Sequence, residues 1–186
     1  MTSGPSVGRD ARLRLFLALR LPDEILDELE AWQAASLRGD LRVVPREHLH
    51  VTLAFLGHRP AQELDAIVGA LREAAAAADP DLRLAATRYR ETRSVAMLVL
   101  DDEGGRATAL AEGVQERLER LGVFERETRP WLPHLTVARF RERPRLRPPT
   151  MGTHVLIPSD AAAYLSRPHP AGARYEVVAT VALGGR

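Results

Sequence analysis

With 186 residues, 26 basic against 25 acidic side chains and no cysteine, the chain is long enough for one large domain or two small lobes with a real hydrophobic core. Every basic residue is arginine, and the joint absence of lysine and cysteine excludes disulfides, thiolate zinc sites, cysteine nucleophiles, Schiff-base lysines, the P-loop lysine and a ligase working through adenylyl-lysine. The near-neutral balance, net +1 with a sequence pI near 8.3, calls for no polyanion over the whole surface, so any nucleic-acid contact is expected to be local.

Residues 1–11 read as a flexible N-terminus, polar and without the apolar core of a signal peptide, and 12–186 as a single domain. Arg12 to Leu21 alternates and then turns mostly apolar, as a buried strand does. Pro22 and Asp23 open a helix to about Ala35, with Ile25, Leu26, Leu29 and Trp32 at helical spacing. Leu41 to Val44 is a short apolar stretch broken by Pro45, and His50 to Leu56 is expected to be a strand that ends at Gly57. Pro60 starts a second helix, extended by the alanine run Ala74 to Ala78. Leu82 to Tyr89 and Ser94 to Leu100 form an expected hairpin, and Gly104-Gly105 precedes a third helix to about Leu121. A loop from Gly122 to Pro133 leads into a strand at His134 to Phe140. Arg141 to Thr150, rich in arginine and proline, is expected to be an exposed loop that buries little. Strands at His154 to Ile157, Ala161 to Leu165 and Tyr175 to Leu183 complete the chain.

This order lacks the sustained alternation of a parallel doubly wound sheet and predicts an α+β fold of antiparallel sheets flanked by helices. No apolar run approaches the roughly 20 residues that span a bilayer. With the missing cysteines, that gives a soluble, cytoplasmic protein and no membrane partner as the expectation.

The chemical signal is a repeat: His50-Val51-Thr52-Leu53 and His134-Leu135-Thr136-Val137. On a strand, a histidine and a threonine two positions apart share one face, while Val51, Leu53, Leu135 and Val137 share the other. Two such strands side by side bring two imidazoles and two hydroxyls together, which suits a phosphate attacked on one side and leaving on the other. The pattern alone is equally compatible with two histidines on solvated strand faces. His48 would share a face with His50 and raises the question of zinc, but spacings such as His-Glu-x-x-His are missing. It reads as a rim residue, and His58, His154 and His169 as exposed or locally bonded side chains. Arg139 and Arg129 flank the second motif as candidate phosphate contacts. Strict alternation puts Arg139 on the wrong face unless a bulge intervenes.

At these residues the sequence resembles the two-histidine phosphoesterase superfamily, specifically the RNA 2′,3′-cyclic phosphodiesterases historically called 2′-5′ RNA ligases. The resemblance runs along the whole chain: RLFLALRLP near the start, VPREHLHVTLAFLG around the first motif, PWLPHLTVARF around the second, and YLS with ARYEVVATVAL in the tail. His48 departs from a common asparagine, and Trp131-Leu132 is unusual before His134.

The resemblance implies a bilobal fold, two pseudo-symmetric lobes around a central cleft with one motif each, no metal and no cofactor. It makes His50 the general acid and His134 the general base, with Thr52 and Thr136 donating to phosphate oxygens. The implied reaction is hydrolysis of RNA 2′,3′-cyclic phosphate ends to 2′-phosphomonoesters by a monomer, with ATP-independent 2′-5′ ligation as its reverse. Two other readings stand beside it: the same chemistry on 2′-5′ oligoadenylate or a cyclic phosphate of ADP-ribose, and a noncatalytic module that binds RNA ends.

Overall fold

The computed structural model describes residues 11–151, 155–170 and 172–184. The expected flexible N-terminus falls almost wholly outside them, as does His154.

In the first strand, β1 (Arg12–Arg20), alternation is strict enough to sort two layers. Leu13, Leu15, Leu17 and Leu19 enter the main core, while Phe16 and Ala18 join a small second cluster with Ala162 and Tyr164 on the opposite face. Three helices follow the expected pattern: α1 (Asp23–Ser36), α2 (Leu64–Ala76) and α3 (Arg106–Arg120). Their buried stripes carry Leu29 and Trp32, Ile67 and Leu71, and Leu110, Val114 and Leu118. The N-terminus of α3 is held by the Asp102 carboxylate, which accepts from the backbone of Ala107 at 3.0 Å and Thr108 at 2.7 Å, neutralising donors that a helix start leaves open.

The remaining strands are β2 (Arg42–Val43), β3 (Val51–Pro60), β4 (Leu84–Glu91), β5 (Val95–Asp102), β6 (His134–Arg139), β7 (Val155–Leu156), β8 (Asp160–Arg167) and β9 (Arg174–Val181). Every pairing is antiparallel. The order β7-β4-β5-β6-β3-β1-β8-β9, with β2 beside β6, divides into two halves, one holding the first motif strand and one the second. The halves meet where β6 lies against β3. The α+β class, the antiparallel sheets and the helical layer are therefore as expected from the sequence.

One local expectation fails. β3 does not stop at Gly57 but runs on to Pro60, because an extra residue between Leu15–Gly57 and Phe16–Phe55 makes a bulge and Gly57 takes up its positive φ of 67°, a conformation cheap only for glycine. The Arg141–Thr150 segment is the exposed loop expected, and it is also clamped. Glu91, whose side chain is 2% exposed, accepts from the backbone of Leu146 at 2.7 Å and Arg145 at 2.9 Å, from Arg143 Nε at 3.1 Å and from the Tyr89 hydroxyl at 2.9 Å. Burial alone would raise this carboxyl's pKa, but the four donors outweigh it and hold the pKa below its ordinary value. The Trp32 indole donates to Pro149 O at 2.9 Å and fixes the far end.

Replacing Glu91 by alanine should strand the two backbone donors, at a cost of about 2–3 kcal/mol, and loosen the loop. Limited trypsin digestion checks this: cleavage after Arg145 should accelerate in the variant while the rest of the chain stays resistant.

Candidate active site

β3 and β6 share one registered pair, Val51 opposite Leu135, and both side chains are wholly buried. Alternation turns the neighbours of that pair to the other face. His50, Thr52, His134 and Thr136 there line one cleft of about 400 Å3, with Arg14, Arg42, Arg139, Phe16, Phe55 and Tyr175 around them.

Arg139 belongs to this cleft because β6 has the bulge that strict alternation lacks. Val137 is the extra residue between the pairs Met97–Thr136 and Ala96–Ala138, so Arg139 returns to the face of Thr136. β3 does the same at the matching position of its motif. Leu53 is extra between Ala18–Thr52 and Leu17–Ala54, and Phe55 turns to the cleft where the other lobe presents Arg139.

Each bulge is gripped by a glutamine in the helical layer. Gln115 of α3, 7% exposed, donates to Leu53 O at 2.9 Å, and Gln33 of α1, 3% exposed, bridges Val137 O at 2.9 Å and Val44 O at 3.0 Å. The two extra residues of the two motifs thus have the same kind of partner. The sequence offered one faint signal for this, a lone amide on an otherwise apolar helix stripe.

The imidazoles are also held alike. His134 Nδ1 lies 2.8 Å from Leu132 O; a carbonyl only accepts, so Nδ1 carries the hydrogen and Nε2 of the neutral ring keeps a free lone pair. His50 bonds in the same way to the backbone of His48, again two residues upstream. Its ring stacks on Phe16 at 4.9 Å, which stacks on Tyr164 at 4.7 Å. Burial pushes the pKa of His50 down to about 4; the His48 carbonyl opposes this, and positive charge at His48, His134 and Arg139 reinforces it. His48 packs on Tyr175 at 4.3 Å and is lowered too, by burial first and then by Arg42 and Arg139, with Glu47 pulling the other way.

Arg129 is not brought to the cleft. It is 83% exposed and pairs with Glu127 at 2.8 Å, since the loop spends its buried contacts elsewhere: the Trp131 indole crosses to β3 and donates to Thr52 O at 3.0 Å. His58 and His169 lie outside the cleft lining as well. Sequence reasoning overlooked Arg14, Arg42 and Phe55. Arg14 was legible, since it alternates with Phe16, and its guanidinium sits 5.1 Å over the Phe55 ring and 3.4 Å from Ser166 Oγ. Arg42 was not, because its position depends on β2 pairing Arg42 with Arg139. Its guanidinium lies so close to Gly172 that a Cβ there would sit 2.6 Å away. Among the described residues, no three histidine, aspartate or glutamate side chains form a cluster able to hold a metal ion.

A family model described as the 2′-5′ RNA ligase superfamily matches residues 21–163. The chain belongs to this superfamily of two-histidine phosphoesterases. A superfamily relative from Thermus thermophilus, named RNA 2′,3′-cyclic phosphodiesterase, is 34% identical, covering 93% of this chain and 91% of its own. One of the same name from Escherichia coli is 31% identical over 68% of this chain and 71% of its own. The crystal structure of TT0787 from Thermus thermophilus superposes with a TM-score of 0.80 at 29% identity, covering 93% of this chain and 99% of that one. The fold of this superfamily member is therefore that of a solved relative over nearly its whole length.

Two outcomes follow from the geometry. A depressed histidine pKa means that the folded protein resists a proton the unfolded chain accepts, so stability present above the ordinary value near 6.5 is lost as pH falls toward about 4. Urea unfolding between those pH values should show a loss on the order of 3 kcal/mol, largely absent from His50→Phe. Gln115→Leu, which leaves Leu53 O without its donor, should lower unfolding free energy by about 1–3 kcal/mol at neutral pH.

Proposed function

We propose that this protein hydrolyses RNA 2′,3′-cyclic phosphate ends to 2′-phosphomonoesters, without metal or cofactor, in a site divided between the two lobes of a single domain over 12–186. The observation that carries the reading is the pair Val51–Leu135, which brings the two His-x-Thr motifs together in the lining of one cleft. In-line displacement at phosphorus needs a base and an acid on opposite sides of it, and two strands provide what one strand cannot. The names of the relatives agree with this chemistry.

In the proposed reaction, water attacks phosphorus and gives its proton to Nε2 of His134, whose Nδ1 hydrogen is already committed to Leu132. The bond from phosphorus to O3′ breaks, and the imidazolium of His50 protonates the leaving oxygen. Both proton changes are reversed through solvent. Thr52 and Thr136 donate to the nonbridging oxygens, and Arg139 offers its planar fork to the same anion. Without an anion beside it His50 is neutral near pH 7, because burial holds its pKa at about 4. The phosphate anion is what charges it, by attracting the imidazolium directly against the burial that disfavours it. Substrate binding therefore arms the acid. Reversal with a 5′-hydroxyl in place of water gives 2′-5′ ligation as a side reaction.

His50→Ala and His134→Ala should each abolish hydrolysis of a 2′,3′-cyclic nucleotide in folded protein, and Thr52→Ala or Thr136→Ala should lower it on the order of tenfold to a thousandfold. EDTA should leave the rate unchanged, and phosphorus NMR of the product should show a 2′-phosphate. Normal turnover in either histidine variant would refute the mechanism. If His50 stays neutral at pH 7 by NMR with inorganic phosphate bound, the two histidines exchange roles.

A further inference from the structure

Beyond the reacting end, the second lobe carries a cationic lane that the chemistry above does not use. Cross-strand partners in an antiparallel sheet share a face. Arg90 pairs with Met97, and Met97 with Thr136; Arg88 pairs with Val99, and Val99 with His134. Arg88 and Arg90 therefore stand on the cleft face in the same two rows as the second motif, two strands out. At the usual strand spacing that is about 10 Å away, within reach of a neighbouring nucleotide. Met97 and Val99, both buried, lie between them, and both arginines are exposed.

The lane continues at the edge of β4. Arg90, Arg143, Arg145 and Arg147 surround a second hollow of about 430 Å3. The loop supplying the last three is held by the buried Glu91 carboxylate, and Arg145 keeps a positive φ of 57°, a conformation a non-glycine residue adopts only when its surroundings impose it. Arg143 is tied to Glu91. Arg88, Arg90, Arg145 and Arg147 have no ion-pair partner among the described residues. On this face of β4, β5 and β6 the one carboxylate among the described residues is Asp101, beyond Arg88 at the far end; Glu91 also lines the hollow, but its carboxylate is taken up by Arg143 and by the backbone of Arg145 and Leu146.

We propose that Arg88, Arg90, Arg145 and Arg147 form a second phosphate-binding site, which takes the sugar-phosphate backbone of single-stranded RNA leading away from the cyclic end. The inference rests on the activity proposed above and narrows its substrate to a strand of several nucleotides in preference to a mononucleotide. Guanidiniums suit this task because each offers its fork to a phosphate without reading a base.

The test compares the protein with a variant carrying Arg88→Gln, Arg90→Gln, Arg145→Gln and Arg147→Gln. All four side chains are exposed, so folding is not at stake, and turnover of a 2′,3′-cyclic mononucleotide reports an intact centre. For RNA of about ten nucleotides with a cyclic end, kcat/KM should fall at least about tenfold through KM while mononucleotide turnover is unchanged. The slope of log affinity against log salt should shrink by about 2 to 3, near 0.7 for each phosphate that is no longer neutralised. Anisotropy of a labelled single strand ending in a 3′-phosphate measures binding without turnover, and should show the same weakening. Equal anisotropy in the two proteins, or equal losses on both substrates, overturns the lane. Turnover of neither substrate by the unaltered protein instead overturns the proposed activity, and anisotropy still decides whether the arginines hold RNA.

Discussion

One backbone pair, Val51 with Leu135, governs the rest of this molecule. It is where the strand order of one half joins that of the other, and its side chains are locked into the core. A slip of one residue in either strand would send a histidine and a threonine into the helical layer and bring two aliphatic side chains out into the cleft. The hydrophobic effect thus sets the register, and the register sets the chemistry. The motif's aliphatic residues are as necessary to the site as its polar ones.

From that pair outward the two halves repeat a device. Each motif strand carries one extra residue after its threonine, and each extra residue's carbonyl is met by an amide from a helix. The supports are crossed: α1 follows the strand beside β3 yet steadies β6, and α3 follows the β4–β5 hairpin yet steadies β3. Trp131 adds a third crossing, from the loop before one motif to the backbone of the other. Neither half completes its own wall. The repeat ends at the tip of each bulge, where one lobe presents the apolar Phe55 and the other the charged Arg139, a division suited to a ligand with an apolar face and an anionic group.

The sequence was informative wherever periodicity carries information. Alternation located β1, helical spacing located α1 to α3, and the doubled His-x-Thr located residues that line the cleft. It was uninformative wherever the outcome depends on a partner distant in sequence. Alternation alone turned Arg139 to the core face, because a bulge changes no residue type and only its β5 partner reveals it. Sequence proximity placed Arg129 near the phosphate, yet its loop was free to send Trp131 inward instead. Composition identified the Arg141–Thr150 segment as an exposed loop but not its clamp, because the carboxylate that holds it lies at the end of β4, some fifty residues earlier. The electrostatic state of His50 was illegible for the same reason, since it comes from an aromatic stack assembled by β1, β8 and β9.

The chain has only two tryptophans, and each indole donates to a main-chain carbonyl at a place where one part of the molecule takes hold of another: Trp131 to Thr52 beside the first motif, and Trp32 to Pro149 at the end of the clamped arginine loop. The protein therefore contains two native fluorophores at its two mechanical joints. Separated by single Trp→Phe replacements, their emission reads the junction of the lobes and the seating of the loop independently, in unlabelled protein and in real time.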